Sequence, residues 1–164
     1  MFFKKAFSVA AVVVAVGFSA AGCTDDKKKT AEAVGAGGSG EPASPTEMKT
    51  VGGVTVGPVY FNFDDYTVSA SSQAQLTKMA EQMKAHSGTV LQVEGHCDER
   101  GSIEYNLALG ERRAQAVKTF LTNLGVEAAR LSTISYGEER PANDGHTEES
   151  WQKNRRAEFN VTKQ

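Results

Sequence analysis

Residues 90–113 read VLQVEGHCDERGSIEYNLALGERR, and their pattern indicates the fold class. Its first five residues, 90–94, include Val90, Leu91 and Val93, and they predict a strand that ends at a glycine. The polar loop at 95–102 follows, and its two glycines let the backbone turn and approach a ligand closely. Apolar residues then recur at helical spacing over about 103–124, where a glycine ends the predicted helix. A strand, a loop and a helix in this order predict helices that pack on a sheet.

The segments on either side extend the same pattern. Strands are predicted at 59–63, 90–94, 131–136 and 156–161, and helices at about 69–86, 103–124 and 148–153. The order is therefore β-α-β-α-β-β. We predict an α/β (α+β) two-layer sandwich, with the helices on a mixed four-stranded sheet.

The first residues have the features of a secretory signal. Lys4 and Lys5 precede an uncharged run, 6–22, that is rich in alanine and valine. This run is shorter than the roughly 20 apolar residues that span a bilayer, and serine and glycine interrupt it. We therefore assign residues 1–22 to a signal peptide rather than to a transmembrane helix.

The signal ends in small residues just before Cys23, which resembles a bacterial lipobox. The resemblance implies cleavage before Cys23 and acylation of that residue, and several acyl chains make membrane anchoring stable. Thr24 stands where an aspartate would favour retention in the inner membrane, so the outer membrane is expected, with the domain in the periplasm. The alternative is an ordinary signal with an unmodified cysteine nearby.

Residues 23–56 have the composition of an anchor and a flexible linker. They contain three consecutive lysines, a glycine-rich run and two prolines, without apolar periodicity. We assign residues 57–164 to the folded domain. The whole chain of 164 residues carries 18 basic and 20 acidic side chains, so it lacks the basic surplus of a nucleic-acid-binding protein.

One arginine falls on the buried face of the helix predicted at 103–124. At about 100° per residue, Arg113 lies within the apolar stripe that includes Leu109, whereas Arg112 lies outside it. A desolvated unpaired charge costs several kcal/mol, so we expect Arg113 to face an anion. Asn106 lies on the same face, and Asp98 is the nearest acid in the preceding loop.

Two interpretations of this arrangement remain open. Asp98 and Arg113 form a structural salt bridge, or they line one pocket. In the second case the pocket would suit a zwitterion. Asp98 would hold an ammonium, and Arg113 with the first amides of the helix would hold a carboxylate.

Several motifs together resemble one family. They are VYFNFD at 59–64, GHCDERG at 95–101, EYN at 104–106, LGERRA at 109–114, SYGEERPA at 135–142 and KNRRA at 153–157. They resemble the OmpA C-terminal-like family, and within it the lipid-anchored, peptidoglycan-associated members. The resemblance spans about residues 58–162, which is essentially the whole domain.

The resemblance implies non-covalent binding of the meso-diaminopimelate in peptidoglycan stem peptides. Asp98 is then the partner of the ligand amine and Arg113 the partner of its carboxylate. The other residues implied at the site are Asn106, Leu109, Phe63 and Asp64. A role in a Tol-Pal system follows, with the periplasmic propeller protein TolB as partner, in envelope integrity and cell division. We expect no catalysis, no metal and no cofactor.

The alternative is an enzyme rather than a binding protein, namely a periplasmic zinc- or thiol-dependent peptidoglycan hydrolase. His96, Cys97, Asp98 and Glu99 are all possible metal ligands, and His96 next to Cys97 suggests a thiol nucleophile. Adjacent residues point in different directions, whereas a zinc site needs three or four converging ligands. No third group that would orient a base is evident either. A structural lipoprotein without a ligand is the remaining possibility.

Overall fold

The computed structural model describes residues 47–163. The predicted signal peptide, the lipidation site at Cys23 and most of the predicted linker lie outside the described residues. In the described part of the chain, no helix has the length and apolar character needed to cross a membrane.

The described residues form six strands, three α-helices and one short 3₁₀ helix at Ala128–Arg130. The strands are β1 Lys49–Val51, β2 Val54–Val56, β3 Val59–Tyr60, β4 Val90–His96, β5 Leu131–Gly137 and β6 Arg156–Lys163. The helices are α1 Ala70–Ala85, α2 Ile103–Asn123 and α3 Glu148–Asn154. Strands β3 to β6 form one four-stranded sheet in the order β3-β6-β4-β5.

The sheet is mixed, as predicted. Strand β4 pairs parallel with β5 and antiparallel with β6, and β6 pairs antiparallel with β3. The core lies between one sheet face and the helices, where Leu91 and Val93 of β4 pack with Met79 of α1 and Leu121 of α2. This arrangement confirms the predicted α/β sandwich.

The helix boundaries agree closely with the sequence pattern because the capping residues are local signals. Ser69 and Ser102 are the N-caps of α1 and α2, and each side chain accepts a hydrogen bond from the amide three residues on. Gly125 follows α2 with a φ of 91°, in the left-handed region that ends many helices.

A hairpin lies inside the segment that we assigned to the linker, so the predicted boundary at residue 56 needs correction. Strands β1 and β2 pair antiparallel across Gly52 and Gly53, which both have positive φ. Val54 and Val56 are fully buried in the core. Strands of three residues are too short for apolar alternation to reveal them, and the folded part therefore begins by about residue 49.

The first strand of the main sheet is shorter than predicted. Strand β3 ends at Tyr60, although the alternation reaches Phe63. Phe61 is buried, and its amide donates to the carbonyl of Arg155 at 2.9 Å. Phe63 is 58% exposed, and Asp64 has a φ of 54°. The chain thus leaves the sheet and turns toward the loop between β4 and α2.

Strand β4 and helix α2 approach each other closely at two glycines. A Cβ atom on Gly95 would lie 1.9 Å from the carbonyl oxygen of Gly110. Only residues without side chains permit this distance. The contact fixes the first half of α2 over the end of β4, where the polar loop begins.

Candidate functional site

All six residues predicted for the site line one cavity of about 200 Å³. They are Phe63, Asp64, Asp98, Asn106, Leu109 and Arg113. The rest of the lining consists of residues that the sequence did not assign to the site, namely Cys97, Arg100, Gly101, Tyr105 and Arg155. The wall comes from the turn after β3, the β4–α2 loop, the start of α2 and the residue before β6.

Arg113 is 0% exposed, and backbone carbonyls hold its side chain. Its Nε donates to the carbonyl of Asp65 at 2.8 Å, and its Nη1 donates to that of His96 at 2.8 Å. Its Nη2 donates to the carbonyl of Asn62 at 3.1 Å, and its Nη1 also contacts Cys97 Sγ at 3.3 Å. A guanidinium has five N–H groups, so one N–H on Nη2 remains for another partner.

Of the two interpretations of Arg113 and Asp98, the direct salt bridge does not form, whereas both residues line one cavity. Within residues 47–163, no carboxylate lies within ion-pair distance of Arg113. Backbone carbonyls accept its hydrogen bonds, and the Asp65 and Asp98 carboxylates act on its charge only from beyond ion-pair distance. Burial lowers the pKa of Arg113 from its ordinary value, because desolvation disfavours the charged form. A carboxylate supplied by a ligand would relieve this destabilisation.

Asp98 is 3% exposed and pairs with two other arginines. Its Oδ2 lies 2.6 Å from Arg100 Nη2 and 3.2 Å from Arg155 Nη1. Its Oδ1 accepts from the backbone amide and the Nε of Arg100. Burial by itself would raise the pKa of Asp98, but the hydrogen bonds from Arg100 and Arg155 outweigh it and hold that pKa below its usual range. These four contacts saturate the carboxylate.

Two aromatic rings hold Arg100 at the mouth of the cavity. The guanidinium carbon lies 4.1 Å from the ring centre of Phe63 and 4.2 Å from that of Trp151. Such cation–π contacts are worth about 0.5–1 kcal/mol each at exposed sites. Arg155, by contrast, is buried and donates from its Nε to the carbonyl of Phe61. Arg155 is therefore a fixed part of the wall, whereas Arg100 covers Asp98 from the solvent side.

Asn106 ties the polar loop to the start of α2. Its Nδ2 donates to the carbonyls of Asp98 and Arg100 and, at 2.5 Å, to Glu138 Oε2. Leu109, one turn further along α2, supplies an apolar part of the wall. These contacts hold the loop in one conformation before any ligand arrives.

Tyr105 and Asp64 form the outer rim. The Tyr105 hydroxyl donates a hydrogen bond to Asp64 Oδ1, and this bond raises the pKa of Tyr105. The positive φ of Asp64 is one that aspartate tolerates better than most residues do. The rim therefore presents an exposed aromatic surface beside a carboxylate.

The residues proposed for a hydrolase do not converge. Cys97 is 2% exposed, and burial raises the pKa of its thiol to about 11. Its Sγ donates to the carbonyl of Asn106, so the thiol has neither the thiolate character nor the access that a nucleophile needs. Glu99 pairs with His146 at 2.7 Å, away from the buried Asp98. This geometry gives no support to a thiol nucleophile or to a zinc site at 96–99.

Comparison with known proteins agrees with this fold. The model of the OmpA family matches residues 60–155. The chain belongs to the OmpA family. It is also 38% identical over 157 residues to the peptidoglycan-associated lipoprotein of Agrobacterium fabrum, which covers 94% of this chain and 88% of that protein.

Two further relatives are also peptidoglycan-associated lipoproteins. The chain is 50% identical over 99 residues to the peptidoglycan-associated lipoprotein of Pasteurella multocida, covering 60% of this chain and 66% of that protein, just under two thirds. The crystal structure of the peptidoglycan-associated lipoprotein from Burkholderia pseudomallei superposes with a TM-score of 0.63 at 45% identity, covering 63% of this chain and 88% of that one. These names describe association and lipid modification, and no catalytic family is indicated.

Sequence reasoning missed the two arginines that hold Asp98 in this OmpA-family domain. Arg155 stands 57 residues after Asp98, and no local pattern connects them. Arg100 lies within the loop, but helical and strand periodicities do not apply to loops. The one available signal was Arg155 itself, which stands directly before the last predicted strand, where a charged side chain fits better than in the interior of a sheet.

Proposed function

We propose that this chain binds peptidoglycan non-covalently, through the diaminopimelate of its stem peptides. The observation that carries the proposal is Arg113, a fully buried guanidinium that lines an open cavity and has no carboxylate partner among the described residues. Diaminopimelate ends in a carbon that bears both a carboxylate and an ammonium. The names of the relatives agree with peptidoglycan as the larger ligand.

In this proposal, the free N–H of Arg113 donates to the ligand carboxylate. The cavity lining supports an anionic group, because Arg100, Arg113 and Arg155 outnumber Asp64 and Asp98. A carboxylate inside a partly enclosed site interacts with such charges more strongly than it would in water. Leu109 contacts the methylene carbons of the ligand.

Asp98 is the proposed partner of the ligand ammonium. Because its carboxylate is saturated, Arg100 must first give up part of its contact. Arg100 can do so, since its side chain is 30% exposed and its other contacts are two cation–π contacts and an ion pair at 3.5 Å with the exposed Glu148. Arg155 stays in place and keeps the carboxylate ionised.

A matched pair of soluble stem peptides tests this recognition. One contains meso-diaminopimelate at the third position, and the other contains lysine, which lacks the second carboxylate. We expect isothermal titration to show binding of the first peptide and at least tenfold weaker binding of the second, because removing a charge-assisted hydrogen bond costs about 1.5–3 kcal/mol. Equal affinity for the two peptides would contradict the role of Arg113.

Acylation at Cys23 in the outer membrane is the second part of the proposed function. The small residues before Cys23 support it, and so does the name of the relatives, which describes lipoproteins. Anchoring there would tether the outer membrane to the cell wall. Incorporation of labelled palmitate into the wild type but not into Cys23→Ala tests it, and labelling of both proteins would exclude Cys23 as the acceptor.

The Tol-system protein TolB is the proposed protein partner, on a surface that overlaps the cavity. Phe63, Tyr66, Ile103 and Tyr105 are the exposed large apolar residues of residues 47–163, and two of them line the cavity. An exposed apolar rim of this kind suits a protein interface. We expect the diaminopimelate peptide to compete with TolB, which a binding assay at increasing peptide concentration measures.

A further inference from the structure

A second cluster of polar residues lies on the sheet face opposite to the helices. It consists of Glu94 and His96 of β4 and Glu158 of β6. Gly95 faces α2, so its two neighbours on β4 point to the other side of the sheet. Glu94 and Glu158 stand directly opposite each other in the antiparallel register. This cluster is therefore separate from the cavity that contains Asp98 and Arg113.

The three side chains are close enough to share one ion. One ring nitrogen of His96 and one carboxylate oxygen from each glutamate lie within 4.8 Å of one another. Ligand atoms around a tetrahedral zinc ion, at about 2.1 Å from the metal, are roughly 3.4 Å apart. Small side-chain rotations would bring the three atoms to that separation.

The environment of His96 gives separate support for a bound ion. The residue is 1% exposed, and neither ring nitrogen meets hydrogen-bond geometry among the described residues. Burial lowers the pKa of His96, although the Arg140 backbone lies close enough to oppose this effect by raising it. Its ring packs against Tyr136, with 5.6 Å between the ring centres. Buried polar atoms are nearly always hydrogen-bonded, so a buried imidazole without partners requires an explanation. A metal ion on one ring nitrogen would provide one.

Among the described residues, one arginine forms the only ion pair with the two glutamates. Like charges directly opposite each other on paired strands are destabilising. Arg156 Nε binds one oxygen of Glu158 at 2.6 Å, which leaves the other oxygen of that carboxylate. Within residues 47–163, no hydrogen bond or ion pair reaches the carboxylate of Glu94. A divalent cation between the two carboxylates would reverse their repulsion.

We propose that Glu94, His96 and Glu158 bind a divalent transition metal ion of the zinc class. An imidazole with two carboxylates is a ligand set that zinc accepts, and water can fill the remaining position. Calcium and magnesium prefer oxygen ligands alone, so the imidazole selects against them. The Arg156 guanidinium keeps its contact with the second oxygen of Glu158, where it orients that carboxylate.

Titration of the purified protein with Zn²⁺ tests the site. We expect one bound ion per chain and a rise in Tm of about 4 °C or more at saturation, because an ion that binds only the folded state stabilises it. Glu94→Gln and Glu158→Gln keep the side-chain shape and remove the charge, and each should weaken Zn²⁺ binding at least tenfold. His96→Asn should do the same, with circular dichroism confirming that the variant folds.

The matched control is His146→Asn. His146 is exposed and pairs with Glu99, so it represents adventitious surface binding of Zn²⁺. This variant should bind Zn²⁺ as the wild type does. The proposal fails if the wild type shows no zinc-dependent rise in Tm, or if His146→Asn abolishes binding while the two glutamine variants retain it. Binding of Mg²⁺ with the same affinity as Zn²⁺ would also overturn it.

Discussion

Two adjacent arginines on α2 have opposite environments, because a shift of one position along a helix moves a side chain from the solvent to the core. Arg112 is exposed, whereas Arg113 is completely buried and satisfies three backbone carbonyls from the turn after β3 and the end of β4. Its guanidinium thus joins two segments that helical packing alone would leave apart. The same side chain lines the cavity, so structure and proposed binding depend on one group.

We expect Arg113→Lys to destabilise the fold by about 2–4 kcal/mol. Lysine keeps the charge but cannot reproduce the planar fork, so buried carbonyls lose their donors. Arg112→Lys, the matched control, should change the free energy of unfolding by less than about 0.5 kcal/mol. Urea denaturation measures both values, and equal values for the two variants would contradict the structural role of Arg113.

Cys97 should be unreactive in the folded protein. Its thiol is buried, and burial raises its pKa to about 11, so little thiolate exists at pH 8. In a Cys23→Ser variant, Cys97 is the one remaining cysteine of the two in the chain. Iodoacetamide should label this variant only after denaturation, as mass spectrometry would show. Rapid labelling of the native protein would mean that the thiol is accessible.

For single residues, the sequence predicted burial well, but it did not predict which atoms each buried side chain contacts. The helical wheel placed Arg113 and Asn106 on the inner face, and both are buried. Of the two interpretations left open, the direct salt bridge between Arg113 and Asp98 does not form, because carbonyls from a turn some 50 residues earlier hold the guanidinium. Such partners depend on the tertiary path of the chain, which no local spacing encodes.

The close contact between β4 and α2 is the critical feature at the level of elements. It requires a glycine on each side, and it positions the β4–α2 loop together with the first turn of α2. Half of the cavity wall depends on this placement. The order of elements was predictable from periodicity, but the distance between strand and helix was not.

We expect Gly95→Ala to cost about 3 kcal/mol or more. The added Cβ would lie 1.9 Å from the Gly110 carbonyl oxygen, so strand and helix must separate, with the cost of overpacking. Gly125→Ala is the comparison. It introduces strain at a φ of 91°, but its Cβ meets no atom closer than 4.0 Å, so we expect a cost of about 1 kcal/mol. Similar midpoints in urea for the two variants would contradict a tight β4–α2 contact.

The β1–β2 hairpin should contribute to stability although its sequence has the composition of a linker. A chain that begins at residue 57 lacks Val54 and Val56, and full burial of each valine is worth about 1.5–3 kcal/mol. We expect it to unfold at least 8 °C below a chain that begins at residue 47, since about 1 kcal/mol shifts Tm by several degrees in a domain of this size. Calorimetry of the two chains measures this difference, and equal Tm values would place the hairpin outside the cooperative unit.

For the whole molecule, the two faces of the sheet have different chemistry. The helix-covered side ends in the arginine-lined cavity, and the other side carries the glutamate and histidine cluster. The family and the two-layer fold were predictable because many motifs occur in the right order over the entire domain. The β1–β2 hairpin was not predictable, because its strands are too short to show a pattern. The glutamate and histidine cluster was not predictable either, because it depends on the pairing of β4 with β6, which are far apart in the sequence.

Co-sedimentation with purified sacculi containing diaminopimelate is the most direct test of the central proposal, that this cavity binds the cell wall. We predict that the wild type and Arg112→Lys sediment with sacculi to the same extent. Arg113→Lys and Asp98→Asn, checked for folding by circular dichroism, should each lose at least nine tenths of the bound fraction under the same conditions. Equal sedimentation of all four proteins would contradict the proposed cavity.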